Sequence, residues 1–187
     1  MTQQIIALLG GGFSTEGRDS PIDRYILSLV QNQRARICFI PTASGDSDNY
    51  ISRFYTAFKA DSFVPSHLAL FKRDVVNIEG ALLQQDIIYV GGGNTANLLA
   101  IWRVHGVDLA LRKALDAGVV LAGISAGAMC WFRGGATDSF GGGLNPLDDG
   151  LGFISAAFCP HLTSEPARES AFLSFLETIQ SVLSNCA

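Results

Sequence analysis

Nowhere in the 187 residues do two cysteines stand at a C-x-x-C spacing; Cys38, Cys130, Cys159 and Cys186 are scattered along the chain. This excludes a zinc knuckle or a dithiol redox motif, and the thiols read as small buried hydrophobes with one near the C-terminal end. No run of Lys or Arg is present, the net charge is −4 and the pI is near 5.2, so no face is expected for nucleic acid. No stretch reaches the ~18–20 uninterrupted apolar residues that a bilayer span needs, so no membrane partner is expected either. The opening "MTQQIIALLGGG" lacks the basic start and sustained apolar run of a secretory signal, which makes the cytoplasm the expected compartment. A G-K-[ST] step is missing, and neither "LLGGGFS" nor "GGGNTA" has the G-x-G-x-x-G spacing of a dinucleotide loop. Internal repeats, linkers and low-complexity tracts are absent as well. With 48% apolar residues, the chain is expected to form one α/β domain over 1–187.

What is there is an alternation. Short apolar runs, "QIIALLGGG", "ARICFIPTAS", "SHLALF", "DIIYVGGG" and "GVVLAGIS", each lead into a turn or glycine signal. Amphipathic segments of helical length separate them. "PIDRYILSLVQNQ" sets Ile22, Tyr25, Ile26, Leu29 and Val30 on one stripe behind Pro21. "SDNYISRFYTAFKAD" repeats the pattern, and "VDLALRKALDAG" ends on Gly118, a fitting C′ residue. Nearly continuous apolar strands alternating with helices predict a mostly parallel sheet covered on both faces. The glycine-rich "FRGGATDSFGGGLNPLDDG", residues 132–150, reads as a long excursion between elements. In such sheets ligands gather beyond the carboxyl ends of the strands, which directs attention to the glycines at 10–12, 91–93 and 123–127.

The last of these is G-x-S-x-G, with Ser125 between an apolar strand and the helical "AMCWF". A strained strand-to-helix turn would lift a nucleophilic Oγ above the sheet edge beside free N–H groups; a plain helix cap is the simpler reading. A serine nucleophile needs a base, and the chain offers three histidines. His105 stands at an apparent helix end, and His67 begins an apparent strand. His161, in "AAFCPHLTSEPARES", follows an apolar run and Pro160 and precedes a helix expected to be capped by Ser164. By elimination His161 is the candidate base. The glycine loop of "DIIYVGGGNTANLLAIW" suits either a phosphate or an oxyanion shared with the Ala126 amide, with Asn94 or Thr95 capping the next helix.

Taken together and in order, "IPTASGDS", "YVGGGNT", "GISAGAMCWF", "TDSFG" and "CPHL…EPAR" resemble the S51 serine peptidases, that is, peptidase E and its shorter homologues. The resemblance implies a three-layer α/β sandwich with a mostly parallel sheet, similar to class I glutamine amidotransferases and so flavodoxin-like. It also implies Ser125 as nucleophile, His161 as general base, and Gly92, Gly93 and Ala126 as oxyanion donors. Asp138 matches an aspartate proposed as the third triad member, and Glu165 is a nearby substitute. Asn94, Thr95, Glu165 and Arg168 are expected at the substrate, Arg168 matching an arginine that the family uses near its site. Family members carry an acid–glycine step beyond the last helix that can orient the histidine; "SFLETIQSVLSNCA" is expected to end with the helix, without that step.

The resulting expectation is hydrolysis of small peptides, N-terminal aspartyl dipeptides among them, through an acyl-enzyme, with no metal or organic cofactor, by a monomer or homodimer. The alternative is a degenerate binding module, or an esterase or amidase, on the same scaffold.

Overall fold

The computed structural model describes residues 3–17, 20–32, 34–59 and 63–184; Cys186 lies outside them. Five strands, β1 (Ile6–Leu9), β2 (Arg36–Ile40), β3 (Val64–His67), β4 (Ile87–Val90) and β5 (Val120–Ile124), form one sheet in the order β1-β5-β4-β2-β3. Every pairing in it is parallel.

The apolar runs are nearly continuous because both faces are covered. Alternate residues Ile37, Phe39, Ile87, Tyr89, Val120 and Ala122 pack against α1 (Phe13–Glu16), α2 (Pro21–Ser28) and α3 (Asp48–Ala57) through Phe13, Ile26 and Phe54. Their neighbours Cys38, Ile40, Ile88, Val90 and Leu121 face α4 (Ile78–Leu83), α5 (Thr95–His105) and α6 (Val107–Asp116) through Leu82, Leu98, Trp102 and Leu111. Each large side chain removed from water this way contributes about 1.5–3 kcal/mol, so a one-residue slip in any strand is strongly disfavoured. The result is the expected three-layer, flavodoxin-like arrangement.

Local signals set the connections. Pro21 opens α2, where its missing N–H costs nothing. Ser47 accepts from the Tyr50 amide to start α3. Gly118, with φ 91°, ends α6: its N–H reaches the Leu115 carbonyl and that of Val119 reaches Ala114, a Schellman closure that feeds directly into β5. The strand expected at "SHLALF" is displaced, with His67 its last residue and Leu68 and Leu70 buried beyond it. Pro65 is accommodated there because β3 is an edge strand.

Residues 132–150 depart from the expected excursion. They supply β6 (Phe132–Thr137) and β7 (Asn145–Leu147), which with β8 (Ile154–Phe158) make a second sheet in the order β7-β6-β8. The glycines that suggested a loop sit inside β6. A Cβ on Gly134 would collide with the Leu147 carbonyl, and one on Gly135 with that of Phe158, so they mark close strand approach.

β2 leads outward to β3, whereas β4 leads the other way to β5, so the topological switch falls between β2 and β4. Register aligns Ile40 with Val90, Val90 with Gly123, and Ile124 with Leu9. The segments that follow these four strands therefore share one edge. Among the described residues, no helix is long and apolar enough to cross a membrane.

Candidate active site

Every residue of β5 is buried, and the chain turns at Ser125 directly into the short helix α7 (Ala126–Met129). Ser125 has φ 54° and ψ −110°, a conformation that L-residues rarely adopt and that surrounding structure must enforce. Its carbonyl accepts from the amides of Ala128 and Met129 at 2.9 and 2.8 Å. Close packing accounts for both motif glycines. A Cβ on Gly127 would collide with the Val90 carbonyl, and one on Gly123 with the Gly127 carbonyl. With only four residues, α7 offers Ser125 unpaired N–H groups more than a macrodipole.

His161 brings Nε2 to 2.8 Å from Ser125 Oγ. It too has positive φ, 61°. Its carbonyl accepts from the amides of Ser164 and Glu165 at 3.2 and 3.0 Å, and from Ser164 Oγ at 3.2 Å. Ser164 thus ties down the histidine turn; the helix it was expected to cap, α8 (Ala167–Ser184), begins three residues later. The other two histidines are engaged elsewhere, His67 with the Tyr55 hydroxyl at 2.8 Å and His105 with Arg73 at 3.3 Å.

Asp138 and Glu165, the expected partners of the imidazole, are instead gathered by Arg168. Its Nε lies 2.5 Å from Glu165 Oε2 and its Nη2 3.1 Å from Asp138 Oδ2. Among the described residues, no carboxylate is hydrogen-bonded to His161 Nδ1. Burial of Arg168 works against its charge, but the two carboxylates outweigh that and hold its pKa above the ordinary value. Arg168 also lies against the buried Cys159, whose thiol is pushed up by burial.

The glycine loop follows β4. The place a Gly92 Cβ would take is 3.4 Å from Ser125 Cβ, which brings this loop against the nucleophile. The Gly92 amide donates to the Tyr50 hydroxyl at 3.3 Å, whereas among the described residues the amides of Gly93 and Ala126 have no acceptor. Asn94 caps α5, accepting from the Asn97 amide at 2.8 Å, and its Nδ2 donates to the Ser139 carbonyl at 2.9 Å. Thr95 faces inward: it is buried, with its hydroxyl on Met129 Sδ at 3.8 Å. Only its amide reaches the site, and Ser139 Oγ accepts from that amide at 2.9 Å and from Ala96 at 3.3 Å. Sequence reasoning missed Ser139 and Tyr50. The "TDS" step held the signal for the first, since Thr137 Oγ1 lies 2.7 Å from Ser139 Oγ and fixes it against α5.

The arrangement can activate a hydroxyl with an imidazole, with the free Ala126 amide adjoining Ser125 and the free Gly93 amide in the loop whose Gly92 packs against it. Among the described residues, no group of three or more metal-ligating side chains comes together. Residues 5–184 match the sequence pattern of Peptidase family S51. Uncharacterized peptidase YgaJ of Bacillus subtilis is 52% identical over 170 residues, 91% of this chain and 73% of that protein. Uncharacterized peptidase Lmo0363 of Listeria monocytogenes is 28% identical over 73% of this chain and 70% of its own length. Among solved structures, a peptidase from an acI-B1 Actinobacterium superposes with a TM-score of 0.63 at 22% identity, covering 85% of this chain and 68% of its own. A Listeria monocytogenes protein described as a candidate peptidase E gives 0.67 at 20% identity, covering 89% and 85%. These two likenesses speak for the fold; the match along 5–184 and the YgaJ identity place the chain in peptidase family S51.

Proposed function

We propose that this protein is a serine peptidase of the peptidase E type, cleaving small peptides through an acyl-enzyme. The observation that carries the reading is the 2.8 Å contact between Ser125 Oγ and His161 Nε2 at the carboxyl edge of the sheet. In the first half-reaction Nε2 takes the hydroxyl proton as Oγ attacks the scissile carbonyl. The amides of Gly93 and Ala126 stabilise the oxyanion, joined by Gly92 if Tyr50 releases it. His161 returns the proton to the departing amine, leaving the acyl group on Ser125; water, deprotonated by the same imidazole, then attacks the ester, and the imidazolium gives that proton to Ser125 Oγ as the carboxylic product leaves. No step calls on a metal or an organic cofactor, and a monomer contains every residue named.

A second reading, a binding module that retains the pocket without turnover, draws support from the imidazole: no described carboxylate fixes its tautomer, and a wrong tautomer costs turnover on the order of 10⁴-fold. One experiment separates the two. Wild type and Ser125→Ala are assayed on a panel of Xaa-Leu dipeptides and treated with a serine-directed fluorophosphonate. Cleavage and labelling by the wild type alone support the peptidase. Labelling without cleavage of any peptide points to an esterase or amidase, and absence of both to the binding module.

A further inference from the structure

We propose that Tyr50 is a positioning residue of the oxyanion loop: its hydroxyl keeps hold of the Gly92 amide through the reaction and so presents the neighbouring Gly93 amide to the reacting carbonyl. Gly92 itself then gives no bond to the oxyanion. The inference rests on the peptidase reading above and deepens it.

Two observations carry it. The first is a single gap in an otherwise complete run of hydrogen bonds. The Gly91 amide donates to the Ile40 carbonyl at 3.1 Å, that of Gly92 to the Tyr50 hydroxyl at 3.3 Å, and that of Asn94 to the Ala43 carbonyl at 2.8 Å. Ser139 Oγ accepts from the amides of Thr95 and Ala96, and Asn94 Oδ1 from that of Asn97. Between Gly91 and Asn97 only Gly93, which is exposed, lacks an acceptor among the described residues. Folded chains pair nearly all their backbone N–H groups, so this one is left open for an oxygen from outside the protein.

The second is how that amide is held. Its peptide plane joins Gly92 to Gly93, two residues whose torsions are nearly unrestricted. The peptide before it is tied by Tyr50 and the one after it by Ala43, so the plane between is fixed from both sides. Ala43 ties with its backbone; Tyr50 is the side chain in this bracket. The tyrosine is well seated: its amide donates to Ser47 Oγ, and its ring packs against Phe13 and Phe39 with centroids 5.6 and 5.0 Å away. A Cβ on Gly91 would fall 3.0 Å from its Cε1, and one on Gly92 would fall 3.4 Å from Ser125 Cβ, so the loop is clasped between the ring and the nucleophile. A donor fixed in advance stabilises developing charge without reorganising, and that is the source of its effect.

The test compares wild type with Tyr50→Phe, which removes the hydroxyl and keeps the ring. Steady-state kinetics on the best-cleaved Xaa-Leu dipeptide, the rate of fluorophosphonate labelling at Ser125 and the melting temperature are measured. Expected is a loss of roughly 10-fold in both labelling rate and kcat per labelled site, with KM changed less than about threefold; outright loss of an oxyanion donor costs on the order of 10²–10³. A faster variant would mean that Tyr50 withholds Gly92 as a third donor, and an unchanged one that the hydroxyl positions nothing. Either result overturns the proposal, as does a loss that appears in KM alone.

A second measurement needs no variant. On labelling, Ser125 Oγ displaces fluoride from phosphorus, and the phosphoryl oxygen of the adduct takes the place of the oxyanion. In amide NMR spectra of the wild type before and after labelling, the Gly93 and Ala126 protons should move downfield while that of Gly92 keeps its position. A downfield shift at Gly92, or none at Gly93, refutes the proposal even if Tyr50→Phe fails to fold. For a wild type that is labelled but cleaves no dipeptide, the labelling rates and these shifts decide in the same way. If the wild type is not labelled at all, the peptidase reading falls first and the proposal with it.

Discussion

Ser125 and His161 meet across 2.8 Å, and both reach that contact from a left-handed backbone, with φ of 54° and 61°. A non-glycine residue held in such a region costs of order 1–3 kcal/mol. The two side chains are thus aimed by the structure around them: Ser125 by the packing of α7 against the end of β4, His161 by the bonds its carbonyl receives from Ser164 and Glu165.

Strain at the elbow predicts that Ser125→Gly will stabilise the fold as it abolishes hydrolysis. Relief of the backbone cost exceeds the entropy glycine adds to the unfolded chain, for a net gain of about 1 kcal/mol. Urea denaturation of the variant against wild type measures it. A loss of stability would show that the serine conformation carries no strain.

Close packing predicts the opposite for Gly127→Ala. The added Cβ falls on the backbone carbonyl of Val90, with that of Gly91 close by, and neither can yield without moving the end of β4. Destabilisation of about 2 kcal/mol is expected, with slower labelling of Ser125 because α7 and the oxyanion loop are displaced together. A change below about 0.5 kcal/mol would mean that α7 can move away from the end of β4 at little cost.

Ser139 supplies a third case. Its hydroxyl serves the amides at the start of α5 that lack a partner within the helix, much as an N-cap would, although it lies 44 residues further along the chain. Ser139→Ala should cost about 1 kcal/mol by thermal unfolding. Ser139→Thr, which keeps the oxygen, should lose less; equal losses in the two variants would assign the effect to packing.

This case also shows where sequence reasoning stops. The strand–helix alternation was legible because β2, β4 and β5 are buried on both faces, which turns each into an unbroken apolar run. The elbow was legible from two glycines at the right spacing, and His161 from its place after an apolar run. β6 was not, since Gly134 and Gly135 read as loop residues when the reason for them is the close approach of Leu147 and Phe158 on the neighbouring strands. Nor was the partner choice of Asp138, because a carboxylate in a loop announces its charge but not whether an arginine 30 residues on will reach it before an imidazole does.

A buried carboxyl away from the nucleophile gives the remaining prediction. Asp23 on α2 is 5% exposed and accepts from the Tyr89 hydroxyl at 2.9 Å. Burial pushes its pKa from 3.8 up to about 6, with Glu16 adding to the rise and bonds from Tyr89 and the Phe13 backbone opposing it. The folded protein therefore binds this proton more tightly than the unfolded chain does. The stability it contributes is complete below about pH 4 and is lost as pH rises through 6, a gap of about two pH units equivalent to roughly 3 kcal/mol. Asp23→Asn retains an acceptor for Tyr89 without the charge, so it should match wild type near pH 4 and exceed it by roughly 2–3 kcal/mol at pH 7.5. Chemical denaturation of both proteins at the two pH values measures the difference. If the variant is weaker than wild type by the same amount at each pH, Asp23 is ionised throughout, and the Tyr89 hydroxyl is bonded to a charge that the core has found another way to tolerate.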